Sequence, residues 1–207
     1  MRNPYIVGVW VRGHRHYGRE RLIDHLLHSP VDAAWVVGNR RMGKTSLLRQ
    51  LEYLTLTDET YVPLFWDMQG CTTLDDLCAE LVFSIEDVPE RFEQLGVKPA
   101  ELRGLDVPGV LRVLRRQAYQ SGRKVLLLCD EVEALIPAGE NDPQGLRALR
   151  SAFQRGDGLR VVLTSTKILS RLNDLCRNWE TSPFPVSYTH LRAHETRHDL
   201  VCRLLLE

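Results

Sequence analysis

The chain has 207 residues, which suits one domain with short appendages, and 43% of them are hydrophobic, enough for a buried core. Its 27 basic and 27 acidic side chains cancel, so no overall basic field indicates binding to nucleic acid or to an anionic membrane. The chain has no apolar run of membrane-spanning length, no signal-peptide pattern and no closely spaced pair among its five cysteines, so we expect a cytoplasmic protein with reduced thiols.

Residues 1–20 are predicted to form an irregular lead-in, because Asn3-Pro4-Tyr5, Gly8 and Gly13 interrupt any regular pattern. Apolar residues at helical spacing predict a helix over residues 19–28, which Ser29-Pro30 ends. We expect the main domain to span residues 21–185, with residues 186–207 as a separate tail.

A glycine-bounded loop follows the first predicted strand, at residues 34–37, and leads into a helix predicted over residues 46–54. The loop reads Gly-Asn-Arg-Arg-Met-Gly-Lys-Thr-Ser, which is G-x-x-x-x-G-K-T in a strand–loop–helix context. Backbone N–H groups of such a loop converge on phosphates, and Gly38 and Gly43 permit the close approach and unusual φ values that this requires. The positive end of the following helix dipole adds to the attraction. The pattern therefore predicts a nucleotide-phosphate site.

Two side chains of this loop have specific predicted roles. Lys44 supplies a point charge to the β- and γ-phosphate oxygens, and the Thr45 hydroxyl is a ligand for Mg²⁺. For Arg40 and Arg41 the spacing does not decide between phosphate and surface, although a surface position is favoured. The residues predicted to bind the nucleotide are Gly38, Asn39, Arg40, Arg41, Met42, Gly43, Lys44, Thr45 and Ser46.

The rest of the main domain alternates apolar strands with helices. Strands are predicted at residues 61–67, 125–129 and 159–164, helices near 74–85, 110–118, 146–153 and 167–176, and loops at 88–107 and 137–143. This alternation predicts a parallel sheet covered by helices on both faces, with right-handed crossovers. The continuous apolar strands fit burial on both faces.

The strand at residues 125–129 ends in two acids, Asp130 and Glu131. Acids at the carboxyl end of a parallel strand lie in the crevice where ligands bind. Asp130 is predicted to anchor Mg²⁺, directly or from outside its ligand shell, and Glu131 to polarise a water against the γ-phosphate. Glu133 is predicted to be a surface helix residue.

The last predicted strand ends in Thr164-Ser165-Thr166. A hydroxyl at this position either hydrogen-bonds the attacking water or γ-phosphate, or caps the next helix. The sequence does not choose among the three hydroxyls. The predicted catalytic residues are Glu131, Lys44 and, for the hydroxyl, Thr166.

With these residues identified, the chain resembles the bacterial and archaeal AAA-like ATPases close to the STAND class (signal-transduction ATPases with numerous domains). The resemblance implies an α/β P-loop NTPase three-layer sandwich with a mainly parallel sheet in the order 5-1-4-3-2, and it leaves open whether the last strand is present. It covers about residues 3–185 and is carried by Asn3-Pro4-Tyr5, Tyr17-Gly18-Arg19-Glu20, residues 38–48, Asp67-Met68-Gln69-Gly70, residues 125–131 and residues 163–166.

The resemblance also implies ATP with Mg²⁺ as the ligand, and the sequence contains no Asn-Lys-x-Asp guanine reader. The Gly-Arg-Glu element is implied to pack near the adenine, which makes Tyr17 and Arg19 candidate clamps; the alternative is a plain helix N-terminus. A regulatory ATPase switch follows as the expected function, with a homo-oligomer or an effector domain as partner in the full-length protein. The alternatives are a nucleotide-binding oligomerisation scaffold with little turnover, or a DNA-associated initiator or transposition-helper ATPase, which the zero net charge does not support.

The family pattern departs after Pro185, where a further strand and a helical lid are expected and are absent. Residues 186–196, Val-Ser-Tyr-Thr-His-Leu-Arg-Ala-His-Glu-Thr, resemble a translated sequencing-library adaptor, and residues 200–207 resemble a flow-cell primer in the same reading frame. We therefore expect this tail to be the translation of read-through adaptor DNA and not part of the native fold. Its last residues, 200–206, are nonetheless helix-friendly. The spacing of His190, His194 and His198 is not interpreted as a metal site.

Overall fold

A single sheet organises the fold. The computed structural model describes residues 10–16 and 18–166, and the backbone of residues 189–195 and 200–204. The strands are β1 Ala33–Val37, β2 Tyr61–Asp67, β3 Lys124–Asp130, β4 Leu159–Ser165, β5 Thr189–Glu195 and β6 Leu200–Leu204. The helices are α1 Glu20–His28, α2 Lys44–Thr55, α3 Leu74–Glu86, α4 Pro89–Glu93, α5 Val107–Gln120, α6 Leu135–Asn141 and α7 Pro143–Phe153, with single 3₁₀ turns at Gly13–Arg15, Pro99–Glu101 and Val132–Ala134.

The strand order is β2-β3-β4-β1-β5-β6. Strands β1 to β4 pair in parallel, so the implied order 1-4-3-2 is confirmed for them. Strand β5 lies parallel to β1, in the position that the resemblance gives to a fifth strand, and β6 extends the edge antiparallel to β5. The helical tendency expected for residues 200–206 was wrong, because residues 200–204 are a strand paired with β5.

Two apolar layers lie on opposite faces of the sheet. Alternate residues of β3 face opposite sides: Leu127 packs in the larger cluster and Leu126 in the smaller one. The larger cluster includes buried residues of α3 to α7, and the smaller one includes residues of α1 and α2. The chain is therefore a three-layer α/β sandwich, as predicted, and the central strands are buried on both faces.

Capping side chains set where several helices begin. The Thr73 hydroxyl accepts a hydrogen bond from the Asp76 N–H at 3.1 Å, and the Asp76 carboxylate accepts from the Thr73 N–H at 3.0 Å, which together form a capping box at α3. Asp106 and Asp142 cap α5 and α7, each one residue before the helix. The helices predicted from apolar spacing near residues 74–85, 110–118 and 146–153 agree with α3, α5 and α7, which begin directly after these caps.

Two predicted loops have more structure than expected. The segment at residues 88–107 contains α4 and a 3₁₀ turn, and it buries Phe92 and Leu102 in the larger cluster because apolar residues recur among its charges. Residues 137–143 were predicted as a loop, but α6 covers Leu135–Asn141. Pro137 lies in the first turn of α6, where a backbone N–H has no partner within the helix. The helix predicted at 167–176 lies outside the described residues.

Two expectations from the sequence concern the cysteine thiols and membrane-spanning segments. The thiols of Cys71, Cys78 and Cys129 are free, and burial raises the pKa of Cys129 well above its usual range. No helix in the described ranges combines the length and apolarity needed to cross a bilayer.

Candidate functional site

The loop between β1 and α2 lies at the carboxyl edge of the parallel strands. The Gly38 N–H donates to the Ser165 carbonyl at 3.1 Å, which extends the β1–β4 pairing into the loop. Arg41 and Gly43 adopt left-handed conformations with φ of 64° and 73°. Of the two glycines predicted to need unusual φ values, Gly43 is the left-handed one, and it precedes α2, where its carbonyl accepts from the Leu47 N–H at 3.0 Å.

Lys44 turns back into this loop. Its side chain is only 7% exposed, and its ammonium donates to the carbonyls of Gly38 at 2.9 Å and Asn39 at 3.1 Å. Burial lowers the pKa of Lys44, while the negative charges of Glu131 and Asp130 raise it. The structure thus brings the predicted lysine and the predicted acid pair within electrostatic reach of each other.

The two predicted magnesium residues are in direct contact. The Thr45 hydroxyl donates to Asp130 Oδ2 at 2.6 Å, across 85 residues of sequence. The other carboxylate oxygen, Oδ1, accepts from the Thr164 hydroxyl and from the Glu131 N–H, the latter at 3.1 Å. Asp130 is 3% exposed, so hydrogen bonds hold a buried carboxylate in one orientation beside the loop.

Glu131 has an uncommon backbone for a residue that is not glycine. Its φ of 52° is left-handed, directly after β3. Burial raises the pKa of its half-buried carboxyl from an ordinary value near 4.5; Glu133 and Asp130 raise it further, while Lys44 and Arg40 lower it. Such strained residues occur preferentially at functional sites.

Glu133 contacts the candidate residue Thr166 from a 3₁₀ turn, so its prediction as a surface helix residue was wrong. Its Oε1 accepts hydrogen bonds from both the N–H and the hydroxyl of Thr166, and its charge contributes to the raised pKa of Glu131. The 3₁₀ turn Val132–Ala134 turns the chain back toward the end of β4, where Thr166 lies. The signal that the sequence offered was a third acid within four residues of a strand end.

The structure separates the three hydroxyls that the sequence could not. Thr164 is fully buried against Asp130, and the Ser165 hydroxyl accepts from the Trp35 indole N–H at 3.0 Å. Thr166 is only partly buried, one residue beyond β4. The Thr164 hydroxyl therefore orients the Asp130 carboxylate, and the Ser165 hydroxyl links β4 to Trp35 on β1. Thr166 lies at the edge of the site.

The remaining candidates occupy several positions around the loop. Asn39, Arg40 and Arg41 are exposed and Met42 is buried. The Ser46 hydroxyl accepts from the Val11 N–H at 3.1 Å, which joins the lead-in to α2. Arg19 contacts the loop itself, since its guanidinium donates to the carbonyls of Met42 and Gly43. Tyr17 lies outside the described residues.

The raised pKa of Glu131 predicts a stability effect with a definite sign. The folded chain binds this proton more tightly than the unfolded chain, so the ionised carboxyl destabilises the fold as the pH rises above about 4.5. Glu131→Gln is therefore expected to raise the thermal midpoint at pH 7 and to leave it unchanged below pH 4. Thermal unfolding followed by circular dichroism at both pH values checks this, and a variant less stable than wild type at pH 7 contradicts it.

A phosphate-type loop between the first buried strand and its helix, with a lysine inside it and a hydroxyl–carboxylate pair beside it, defines a P-loop NTPase fold. Within that class, residues 32–172 match the sequence pattern of the AAA domain family, and the chain belongs to that family. The matched residues include the loop, the acid pair and Thr166.

Solved structures similar to this chain have the same fold. The Walker-type ATPase PABY2304 of Pyrococcus abyssi is 19% identical, with a TM-score of 0.70 over 93% of this chain and 58% of that one. Drosophila ORC bound to DNA is 19% identical, with a TM-score of 0.57 over 84% and 42%. The ORC2 protein of Aeropyrum pernix, solved in ADPNP and ADP complexes, is 17% identical, with a TM-score of 0.53 over 85% and 47%.

This chain therefore spans about half the length of these solved proteins. None of the curated proteins compared matches it.

Proposed function

We propose that this AAA domain binds ATP with Mg²⁺ at the loop of residues 38–46 and hydrolyses the terminal phosphoanhydride. The observation that carries the proposal is the contact between the Thr45 hydroxyl and Asp130 Oδ2 at 2.6 Å, beside a lysine that is buried in the loop. Phosphoryl transfer requires mainly positioning and charge neutralisation, and this arrangement supplies an ammonium, a hydroxyl and a carboxylate at one edge of the sheet.

The donor set fits magnesium. Mg²⁺ prefers oxygen ligands and usually binds through one or two protein groups together with phosphates and water. Thr45 and Asp130 offer a hydroxyl and a carboxylate that already face each other, and the contacts from Thr164 and the Glu131 N–H leave Oδ2 of Asp130 directed at Thr45. When bound there, the ion neutralises charge on the phosphate oxygens.

Glu131 is proposed as the residue that polarises the attacking water. Its raised pKa lies closer to neutral pH than that of an ordinary carboxyl, and a general base is most effective when its pKa is near the working pH. Thr166 is proposed to contact the water or the γ-phosphate, and Glu133 to hold Thr166 in place through its two hydrogen bonds. Tyr17 remains a proposed adenine clamp. The proposed nucleotide ligands are the loop residues Gly38, Asn39, Arg40, Arg41, Met42, Gly43, Lys44, Thr45 and Ser46.

The magnesium assignment is tested by Asp130→Asn. The amide has nearly the same shape and keeps one oxygen for the Thr164 hydroxyl and the Glu131 N–H, but it removes the negative charge that would hold the ion. We expect wild type to bind ATP more tightly with Mg²⁺ than with EDTA. In the variant, the ratio of these two affinities is expected to be smaller by about tenfold or more, which is equivalent to about 1.4 kcal/mol.

Isothermal titration calorimetry with ATP in both buffers measures this difference. Asp157→Asn is the matched control, because Asp157 is an exposed acid before β4. An Mg²⁺ dependence equal to that of wild type in Asp130→Asn would refute the metal site.

At the level of biology, we propose a regulatory switch close to the STAND class, acting in the cytoplasm with a second copy or an effector domain as partner. A nucleotide-binding scaffold with little turnover is the second candidate, since ATP is held by the loop whether or not Glu131 acts. A DNA-associated role is a third candidate, because Drosophila ORC, solved bound to DNA, has a similar fold. Steady phosphate release separates the first candidate from the second.

We further infer that residues 186–207 are translated adaptor DNA. The pairing of β5 with β1 is compatible with this origin, because backbone ladder bonds at an open sheet edge require no particular side chains. Source DNA that encodes this tail within longer genomic sequence would refute the inference.

A further inference from the structure

We propose that Arg19 is a positioning residue that fixes two peptide planes of the phosphate loop, an inference that rests on the proposed function. Its guanidinium donates to the Gly43 carbonyl at 3.0 Å and to the Met42 carbonyl, 24 and 23 residues further along the chain. The two carbonyls are consecutive, so one planar fork of donors spans both. Arginine offers this geometry and lysine does not.

The consequence follows from the shape of the peptide bond. Each carbonyl shares a rigid trans plane with the N–H of the next residue, and the two groups point in opposite directions. When Arg19 holds the carbonyls of Met42 and Gly43, it therefore turns the N–H groups of Gly43 and Lys44 away from itself. Lys44 is the first residue of α2, so its N–H has no acceptor within the helix. Such N–H groups are those that a phosphate loop presents to its ligand.

A packed element holds Arg19 in this place. Gly18 and Arg19 are both left-handed, with φ of 72° and 74°, a conformation that an arginine keeps only when its surroundings fix it. The Arg19 carbonyl accepts the first hydrogen bond of α1, from the Ile23 N–H at 2.9 Å. Helix α1 is buried against the sheet through Leu22 and Leu26. The Arg19 guanidinium thus links the N-terminus of α1 to the loop through its hydrogen bonds.

The lead-in strengthens the same connection. The Val11 N–H donates to the Ser46 hydroxyl at 3.1 Å, and the Gly13 N–H donates to the Gln50 side chain at 2.6 Å. Val11 and Gly13 thus contact the first turns of α2, while Arg19 contacts the loop that precedes this helix.

This role differs from an adenine clamp in what it predicts for ligands without a base. A clamp on adenine contributes to ADP binding and nothing to pyrophosphate binding. Oriented N–H groups contribute to both ligands by the same factor, because both ligands present phosphate oxygens to the loop. The ratio of the two affinities therefore separates a positioning role from a base contact.

The experiment measures the binding of Mg²⁺–ADP and of Mg²⁺–pyrophosphate to the 207-residue chain by calorimetry. Arg19→Gln is expected to weaken both by about tenfold or more, with their ratio unchanged, because it loses a charged, two-pronged set of hydrogen bonds. The affinities of Arg19→Lys are expected to lie between those of wild type and Arg19→Gln, since an ammonium reaches one carbonyl at a time. Arg21→Gln, an exposed position two residues further along, is expected to bind as wild type does.

Unchanged affinities in Arg19→Gln overturn the inference, as does a loss confined to ADP, which would indicate a base contact. If wild type binds neither ligand, the proposed function fails first and this inference fails with it. Circular dichroism confirms folding of each variant, and Arg19→Lys, which retains the charge, provides the test if Arg19→Gln does not fold.

Discussion

Lys44→Ala is expected to abolish measurable binding of ATP to this chain. The Lys44 ammonium is buried within the loop and hydrogen-bonds two of its carbonyls, so it can exchange these partners for phosphate oxygens without leaving the site. Charged hydrogen bonds contribute about 1.5–3 kcal/mol each, so we expect affinity to fall by about a hundredfold or more. Titration of ATP into both proteins, followed by calorimetry, measures the loss.

The matched control is Lys98→Ala, because the Lys98 side chain is 77% exposed and lies between α4 and α5. It removes the same charge from the chain and is expected to leave the affinity unchanged. Equal affinity in wild type and Lys44→Ala would contradict the proposed phosphate site, and with it every activity assigned to the loop.

Glu131→Gln is expected to keep nucleotide binding and to lose turnover. The amide preserves the size of the side chain but cannot take a proton from water, and general-base catalysis contributes about 10²–10⁴-fold to rate. Glu131 hydrogen-bonds Asp130 through its backbone N–H, which the substitution keeps, so the contact between Asp130 and Thr45 is expected to keep its geometry. Phosphate release at saturating Mg²⁺–ATP, alongside calorimetry, measures turnover and binding separately.

Glu93→Gln is the control for this comparison, since Glu93 is an exposed acid on α4. Turnover in Glu131→Gln equal to that of wild type would show that another group activates the water. Binding by wild type without any turnover would favour the scaffold over the switch, and it would leave the loop and metal assignments standing.

Much of the fold could be read from patterns that are local in sequence. Strand β2 was predicted with the bounds that the structure has, and the helices α1, α3 and α7 follow the apolar spacing of their own segments. Predictions were wrong where composition was used alone. The charged segment containing Phe92 is folded into the core, and Pro137 lies within the first turn of α6.

What the sequence determined by itself is the phosphate loop with Lys44 and Thr45, and the acid pair Asp130 and Glu131. Each is encoded by neighbouring residues whose spacing dictates a strand end and a turn. Only the tertiary structure decided that Thr164 contacts Asp130, which lies 34 residues away in sequence, and that Glu133 contacts Thr166, 33 residues away.

The contact of Arg19 with the loop was likewise decided by the tertiary structure. The reason is physical: which side chains meet across neighbouring strands and helices depends on strand order, register and the packing of α1 on the sheet. No short stretch of sequence contains that information.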